Sequence, residues 1–267
     1  MLNKLVLLIL FLFLFTNAEI EAQTDSSHYY KATDGINIYY EVKGTGYPVV
    51  LVHGFIVTSS NWKKSPMYLD LLNAGYKVII MDLRGNGKSD KPHLAAAYEN
   101  DAQSKDIMGI VSELGIKNYD LIGYSRGSII AARLLVLDKR VHKTILGGMG
   151  AEFTNPEWPR RIQFYHALMG DSVPELKAMV QNVQKSGLDQ LALAYQQKEQ
   201  PATSKEALGK VKKQVLVICG DKDKDNGSGK ELAALMLNAK FIEVPGVHNN
   251  AASTKEFSNA VLGFIKE

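Results

Sequence analysis

The sequence predicts a single α/β domain whose mostly parallel sheet is covered by helices on both faces. Short apolar runs alternate with helical patterns along the chain, which is typical of strands and helices wound in turn. Most of these runs are continuously apolar, as in the buried strands of parallel sheets. At 267 residues and 46% hydrophobic content, the chain can bury one large core and carry a small insertion.

Residues 1–22 at the N-terminus predict a signal peptide for export. Met1 to Lys4 supplies one positive charge, Leu5 to Phe15 is an unbroken apolar run, and Ala18 and Ala22 are candidate cleavage points. A run of eleven residues is too short to span a bilayer as a helix, which needs about 20 residues. Cleavage would leave a periplasmic or secreted protein without stable membrane association, and an uncleaved anchor is the alternative.

Strands and helices then alternate through residues 23–267. A hairpin comes first, because the turn dipeptide Asp34-Gly35 lies between the extended runs 29–33 and 36–42. The predicted strands that follow are Val49–Val52, Val78–Met81, Tyr119–Ile122, Thr144–Leu146, Val215–Ile218 and Phe241–Val244. The predicted helices are Met67–Asn73, Ala102–Leu114, Ser128–Val136, Gly229–Leu237 and Thr254–Ile265. In such a sheet the ligand crevice lies beyond the carboxyl ends of the strands.

The alternation stops between Gly150 and Ser204, where no strand-like run appears. Aromatic and apolar side chains there are interrupted by Pro156, Pro159, Pro174 and Pro201. We predict a helical lid over residues 151–204 that covers the crevice with an apolar, aromatic surface. Its candidate substrate contacts are Trp158, Phe164 and Tyr165, although each can equally serve only to seat the lid on the sheet.

Charge and cysteine content narrow the choice of partners. The chain has 31 basic and 28 acidic residues, a net charge of +3 spread along its length, so nothing favours a nucleic-acid partner. Cys219 is the only cysteine and follows an apolar strand, which excludes an intramolecular disulfide. A small molecule is therefore the expected partner, and the oligomeric state is left open.

The pentapeptide 123–127 predicts a nucleophile. Its sequence Gly-Tyr-Ser-Arg-Gly follows an apolar strand and opens a helical run, the context that a Gly-x-Ser-x-Gly elbow requires. In such an elbow the serine occupies a strained turn, and side chains in place of the glycines would collide with the neighbouring strand and helix. Ser125 is the predicted nucleophile, and the backbone N–H of Arg126 lies beside it at a helix N-terminus.

A second strand end, His53-Gly54-Phe55, supplies another backbone donor. The glycine permits close approach, and the N–H of Phe55 points into the crevice. Phe55 and Arg126 would together form a two-donor oxyanion hole. The alternative, that His53 is the catalytic base, is disfavoured because its ring would compete for the place of the oxyanion donors.

Two later strand ends supply an acid and a base. The loop after Cys219 contains Asp221, Asp223 and Asp225, any of which can orient an imidazole; we favour Asp223, with Asp225 as the alternative. His248 follows the last strand and is the only histidine at a strand end downstream of both the serine and the aspartates. It is the predicted base.

The order Ser125, Asp223, His248, with the segments 53–55 and 82–90, resembles the α/β-hydrolase superfamily over roughly residues 29–266. Within it, the chain resembles the lidded serine esterase and non-haem haloperoxidase-like branch. This resemblance implies the α/β-hydrolase fold, a carboxylesterase-like reaction on small or medium apolar or aromatic esters, and no metal or organic cofactor. It also makes Asp82-Leu83-Arg84-Gly85 a scaffold motif, with Arg84 tying the loop to the sheet by bidentate hydrogen bonds.

Two positions depart from the pattern of this superfamily. Ser128 replaces a second glycine, and Arg126 replaces the methionine or glutamine that is common after the nucleophile. The Arg126 cation either favours a substrate that bears a carboxylate or is neutralised by a lid acid such as Glu152. Two other functions stay open: hydrolysis of carbon–carbon bonds in ring-fission-type products, and ligand binding without catalysis.

Overall fold

An eight-stranded sheet forms the centre of the domain in the computed structural model, which describes residues 26–267. The strands alternate with helices along most of the chain, as the sequence predicted. They are β1 (Ser26–Lys31), β2 (Asn37–Lys43), β3 (Pro48–Val52), β4 (Lys77–Met81), β5 (Tyr119–Tyr124), β6 (Val141–Gly147), β7 (Gln214–Gly220) and β8 (Ala239–Val244).

The strand order is β1-β2-β4-β3-β5-β6-β7-β8. The predicted hairpin is confirmed, since β1 and β2 pair antiparallel, and β2 pairs antiparallel with β4. All the remaining pairs are parallel. The carboxyl ends of β3, β5, β7 and β8 therefore meet at one edge of the sheet, which is where the predicted site residues follow their strands.

Helices cover both faces of this sheet. The α-helices are α1 (Pro66–Asn73), α2 (Ala102–Glu113), α3 (Arg126–Leu137), α4 (Pro159–Met169), α5 (Lys177–Lys185), α6 (Gln190–Lys198), α7 (Lys205–Gly209), α8 (Gly229–Ala234) and α9 (Lys255–Lys266). Alternation along each strand sorts the core into two layers: Val50 and Val52 pack with α2, α3 and α8, whereas Val49 and Leu51 pack with α1 and α9.

The segment 151–204, predicted to be a lid, contains α4, α5 and α6 and has no strand along its described length. These helices share a small apolar cluster of Leu168, Val183, Leu193 and Ala194. Phe55 and Ile56, which follow β3, pack against the same cluster. The lid helices are therefore anchored directly above the carboxyl end of the sheet.

Arg84 joins the loop after β4 to two other parts of the domain. Its Nε and Nη2 donate to the two carboxylate oxygens of Asp106 on α2, at 2.7 and 2.6 Å. Its Nη1 donates to Asp34 in the β1–β2 turn. The predicted bidentate geometry is present, but the partners belong to a helix and a hairpin turn rather than to the sheet.

The predicted signal peptide, residues 1–22, lies outside the described residues. Within residues 26–267, none of the helices has the length and apolar character needed to cross a bilayer.

Candidate active site

Ser125 lies at a sharp turn between β5 and α3. Its φ of +55° and ψ of −127° place a non-glycine residue in a strained backbone region. The turn needs both flanking glycines: a Cβ on Gly127 would lie 2.1 Å from the carbonyl oxygen of Val52, and one on Gly123 would lie 2.3 Å from that of Gly127. The structure thus gives a physical reason for the elbow sequence, which holds Oγ out from the backbone.

His248 links Ser125 to Asp223. Its Nε2 lies 2.9 Å from Oγ of Ser125, and its Nδ1 lies 2.8 Å from Oδ2 of Asp223. A carboxylate accepts hydrogen bonds, so Nδ1 is assigned the proton and Nε2 is left as the acceptor that faces the serine hydroxyl. This arrangement can draw the proton from Ser125 and stabilise the imidazolium that results.

Among the three aspartates of the loop after β7, the structure places Asp223 against the imidazole. Burial alone would raise the pKa of this carboxyl, but hydrogen bonding and charge attraction from His248 outweigh it, so the pKa of Asp223 lies below its usual range. Asp221 instead accepts from the N–H of Gly246, and Asp225 is exposed.

The two predicted oxyanion donors belong to the two segments that meet at Ser125, the end of β3 and the start of α3. The backbone N–H groups of Phe55 and Arg126 have no hydrogen-bond acceptor within the described part of the chain. A Cβ on Gly54 would come within 3.4 Å of Ser125 Cβ, which shows how closely the strand end approaches the nucleophile. Both amides are therefore free to bind an oxyanion.

His53 is buried beneath this strand end and has both ring nitrogens occupied. Its Nδ1 donates to the carbonyl of Gly54 at 2.7 Å, and its Nε2 accepts from the N–H of Leu83 at 3.0 Å. Burial lowers its pKa, so the ring is neutral at neutral pH. His53 holds the β3 and β4 loops together, and neither nitrogen is available as a base.

The guanidinium of Arg126 is buried, and Glu152, the lid acid expected to neutralise it, is not among its partners. Its Nη2 donates to Oε1 of Gln103 at 2.6 Å and to the carbonyl of Gln196 at 2.9 Å. Burial without an acidic partner lowers its pKa to about 9. The carboxylate of Glu152 lies against Gly227 and forms no ion pair with Arg126. The prediction that Glu152 neutralises the Arg126 cation is therefore wrong.

Sequence reasoning missed two neighbours of His248. The Tyr124 hydroxyl donates to the backbone carbonyl of His248 at 2.6 Å, and the two rings lie 5.5 Å apart between centroids. The Asn226 amide nitrogen lies 3.2 Å from Nδ1 of His248. Tyr124 occupies the variable position of the elbow and Asn226 lies in a charged loop, so neither pattern signals its role.

A cavity of about 530 Å³ opens over Ser125 and His248. Trp158 and Phe164, two of the three lid residues predicted to contact substrate, line it. Tyr165 differs: it packs against the lid's own apolar cluster and is absent from the cavity wall. Consecutive helical residues point about 100° apart, and this step turns Tyr165 toward the lid cluster while Phe164 faces the crevice.

One set of side chains in the described part of the chain has the arrangement of a metal site. Asp223, Asp225 and His248 can each offer one ligand atom within 4.8 Å of the others. However, Nδ1 and Nε2 of His248 already face Asp223 and Ser125, and a metal would have to displace one of them. The serine relay accounts for this cluster better than a metal ion does.

Known proteins similar to this chain share its architecture. A family model described as alpha/beta hydrolase fold matches residues 47–177. A protein of Synechocystis sp. named as a candidate non-heme chloroperoxidase is 40% identical over 113 residues, which are 42% of this chain and 40% of that protein. Epoxide hydrolase 3 of Siraitia grosvenorii is 37% identical over 99 residues, 37% of this chain and 31% of that enzyme. These matches span well under half of each relative.

Comparison with solved structures extends the similarity to nearly the whole chain. A bromoperoxidase from Bacillus anthracis superposes with a TM-score of 0.70 at 27% identity, covering 91% of this chain and 100% of that one. The haloperoxidase-like branch expected from the sequence is thus represented among both the relatives and the structural neighbours. The sheet order and the nucleophile elbow of this chain agree with these matches. The chain is therefore a protein of the α/β-hydrolase fold.

Proposed function

We propose that the chain is a serine hydrolase that cleaves carboxylic esters of small or medium apolar or aromatic substrates. The observation that carries the proposal is the relay from Asp223 through His248 to Ser125, with its two contacts of 2.8 and 2.9 Å. A hydroxyl that faces an imidazole held by a carboxylate is activated for attack on a carbonyl carbon.

The reaction would proceed through an acyl-enzyme. His248 takes the proton of Ser125 as Oγ attacks the carbonyl, and the N–H groups of Phe55 and Arg126 stabilise the tetrahedral oxyanion. His248 then gives the proton to the departing alcohol. Water, deprotonated by the same imidazole, attacks the acyl-enzyme and releases the carboxylic acid.

The size and lining of the cavity support small or medium substrates. A volume of about 530 Å³ lies in the range of small-molecule sites, and Phe55, Trp158 and Phe164 give it aromatic walls. A lid over this volume favours a confined acyl pocket over an open lipid-binding surface.

Epoxide hydrolysis is disfavoured by the nucleophile, and two other functions remain as outcomes of the test. The epoxide hydrolases of this superfamily are expected to use an aspartate nucleophile, whereas this chain has Ser125 at the elbow. Carbon–carbon bond hydrolases would use the same triad as an esterase. A ligand-binding homologue would not need the relay at all.

An ester panel tests the proposal. Wild-type protein and the Ser125→Ala variant are assayed on p-nitrophenyl esters of rising acyl length, on triglyceride emulsions and on a ring-fission-type product. We expect turnover of the short and medium esters by wild type alone. Loss of all ester turnover, or faster turnover of the emulsion or the ring-fission substrate, would contradict the proposed specificity.

Export is a separate part of the proposal. The mature chain would begin near Glu19 or Gln23, after removal of the apolar segment Leu5 to Phe15. N-terminal sequencing of secreted or periplasmic material tests this. Recovery of the chain from Met1 in a membrane fraction would support the uncleaved anchor.

A further inference from the structure

The cavity wall carries more positive than negative side chains. Lys64, Arg126, Arg160 and Arg161 all line it, whereas Asp225 is the acid on the same wall. The whole sequence is nearly balanced, with 31 basic against 28 acidic residues. The excess is therefore local to the cavity, and a positive, partly enclosed cleft attracts anionic ligands.

Two of the three arginines at the cavity have structural partners. Arg126 donates to Gln103 and to the carbonyl of Gln196. Arg161 donates to the carbonyl of Lys198 at 2.8 Å and to that of Pro156, which ties α4 to the end of α6. Their positive charge contributes to the field in the cavity. Nε and Nη1 of Arg126 and Nε of Arg161 have no hydrogen-bond partner within residues 26–267, whereas the other nitrogens of both side chains are used.

Arg160 differs from both. Within residues 26–267 its guanidinium has no hydrogen bond and no ion pair. It lies over the ring of Phe164, with 5.0 Å between the guanidinium carbon and the ring centroid. This contact holds the guanidinium beside the ring, and its N–H donors have no protein acceptor among the described residues.

The same stack connects Arg160 to the reacting end of the cavity. The Phe164 ring packs edge to face on Phe55, with centroids 5.9 Å apart, and Phe55 supplies an oxyanion donor. The positive charge of Arg160 also acts on the triad, because it lowers the pKa of Asp223. Burial and the contacts with His248 affect that pKa more strongly. Two ring contacts therefore separate the free guanidinium from the oxyanion hole.

The helix N-terminus itself does not favour a cation at this position. Arg160 and Arg161 follow Pro159 in the first turn of α4, and no acidic residue lies in that turn. Helix N-termini favour acidic side chains and disfavour cations, because the helix dipole is positive there. Both the helix and the two arginines instead add positive potential on the side of the lid that faces the cavity.

We infer that the substrate carries a carboxylate several bonds from the scissile ester, and that the edge of the Arg160 guanidinium binds it. The Arg160 guanidinium is the one at this cavity with no hydrogen bond from any of its nitrogens within residues 26–267, and its planar donors match the single charge and the paired oxygens of a carboxylate. The apolar walls formed by Phe164 and Phe55 suit the methylene chain between the two ends. The inference rests on the proposed ester hydrolysis for the reacting end, while the anion subsite itself is testable without turnover.

A matched pair of esters tests the subsite. The p-nitrophenyl ester of hexanoic acid and the mono-p-nitrophenyl ester of adipic acid have the same chain length and differ in a terminal methyl or carboxylate. We expect the Arg160→Gln variant to raise KM for the adipic ester by about 10- to 100-fold, with kcat nearly unchanged. The contact lies outside the reacting centre, so its loss weakens binding of the ground state and of the transition state equally. KM for the hexanoic ester should change by less than about threefold.

Two further variants control for charge and geometry. Lys185→Gln removes one positive charge from an exposed site on α5, away from the cavity wall, and should leave both KM values unchanged. Arg160→Lys keeps the charge but not the planar donor pair, and should recover part of the affinity for the adipic ester. The thermal unfolding midpoint of Arg160→Gln should not fall, since a cation leaves the helix N-terminus.

Calorimetric binding of hexanoate and of neutral hexanamide to wild type and Arg160→Gln separates this inference from the proposed function. Tighter binding of hexanoate than of hexanamide, abolished by Arg160→Gln, would support the subsite even if neither ester were hydrolysed. Equal binding of the acid and the amide by wild type, or an equal effect of Arg160→Gln on both esters, would overturn it. If wild type hydrolysed the hexanoic and adipic esters with equal KM, the carboxylate subsite would be refuted, whereas the proposed esterase activity would still be supported.

Discussion

Replacing Asp223 by Asn should lower turnover by about 10⁴, because an amide favours the wrong imidazole tautomer. In the wild-type structure a buried carboxylate oxygen accepts from Nδ1 of His248 at 2.8 Å, which leaves Nε2 free to accept from Ser125. An amide –NH₂ at that position donates to Nδ1 and places the ring proton on Nε2. The imidazole then presents N–H to the serine hydroxyl and cannot take its proton.

Asp225→Asn and Asp221→Asn are the matched controls. Asp225 is exposed, and Asp221 accepts from the N–H of Gly246 without touching the imidazole. Each should keep turnover within about threefold of wild type, as expected for solvated charges. Steady-state kcat on a soluble aryl ester measures all three variants. Near-normal kcat in Asp223→Asn with collapse in Asp225→Asn would refute the assignment of the acid.

The same carboxyl makes a prediction about stability. The folded pKa of Asp223 lies below its ordinary value of 3.8, so its contribution to stability is fully present above that value and is lost as pH falls through the folded pKa. The difference in unfolding free energy between wild type and Asp223→Asn should therefore shrink on acidification below about pH 4. A difference that stays constant from neutral pH to pH 2 would contradict the stated direction of the shift.

The other predictions concern residues around the triad. Tyr124→Phe removes the hydrogen bond to the His248 carbonyl and should lower kcat by about 3- to 10-fold with little change in KM, as measured by steady-state kinetics. Gly127→Ala puts a Cβ against the carbonyl of Val52 and should destabilise the fold by at least about 1–3 kcal/mol in urea unfolding. Burial raises the pKa of the Cys219 thiol to about 11, so at pH 8 iodoacetamide should label the native chain at least about tenfold more slowly than the urea-unfolded chain. An unchanged kcat in Tyr124→Phe would contradict a role for that hydrogen bond, and unchanged stability in Gly127→Ala would contradict the close approach to Val52. Equal labelling rates for the native and the unfolded chain would contradict the burial of Cys219.

The sheet and the order of the site residues were predictable because both follow from short-range patterns. The apolar run Val49–Val52 falls within β3, and Thr144–Leu146 falls within β6. A buried parallel strand needs continuous apolar residues, and that need is visible without any tertiary contact. The motif residues follow strand ends, so topology alone brings them to one edge of the sheet.

Contacts between distant segments were not predictable in this way. Arg126 finds its partners on α2 and α6, and nothing in the local sequence marks Gln103 or Gln196 as acceptors. Phe164 and Tyr165 are adjacent aromatic residues, and only the rotation of α4 on the sheet decides which of them faces the cavity. The stacking of Arg160 on Phe164 depends on the same rotation.

Covalent labelling shows whether Ser125 is the nucleophile. The wild-type protein is treated with a fluorophosphonate, digested and analysed by mass spectrometry, with Ser125→Ala treated in parallel. We expect one adduct per chain, located on Ser125, and no adduct in the variant. An adduct on another serine, or none on the wild type under conditions where soluble esters are hydrolysed, would contradict it.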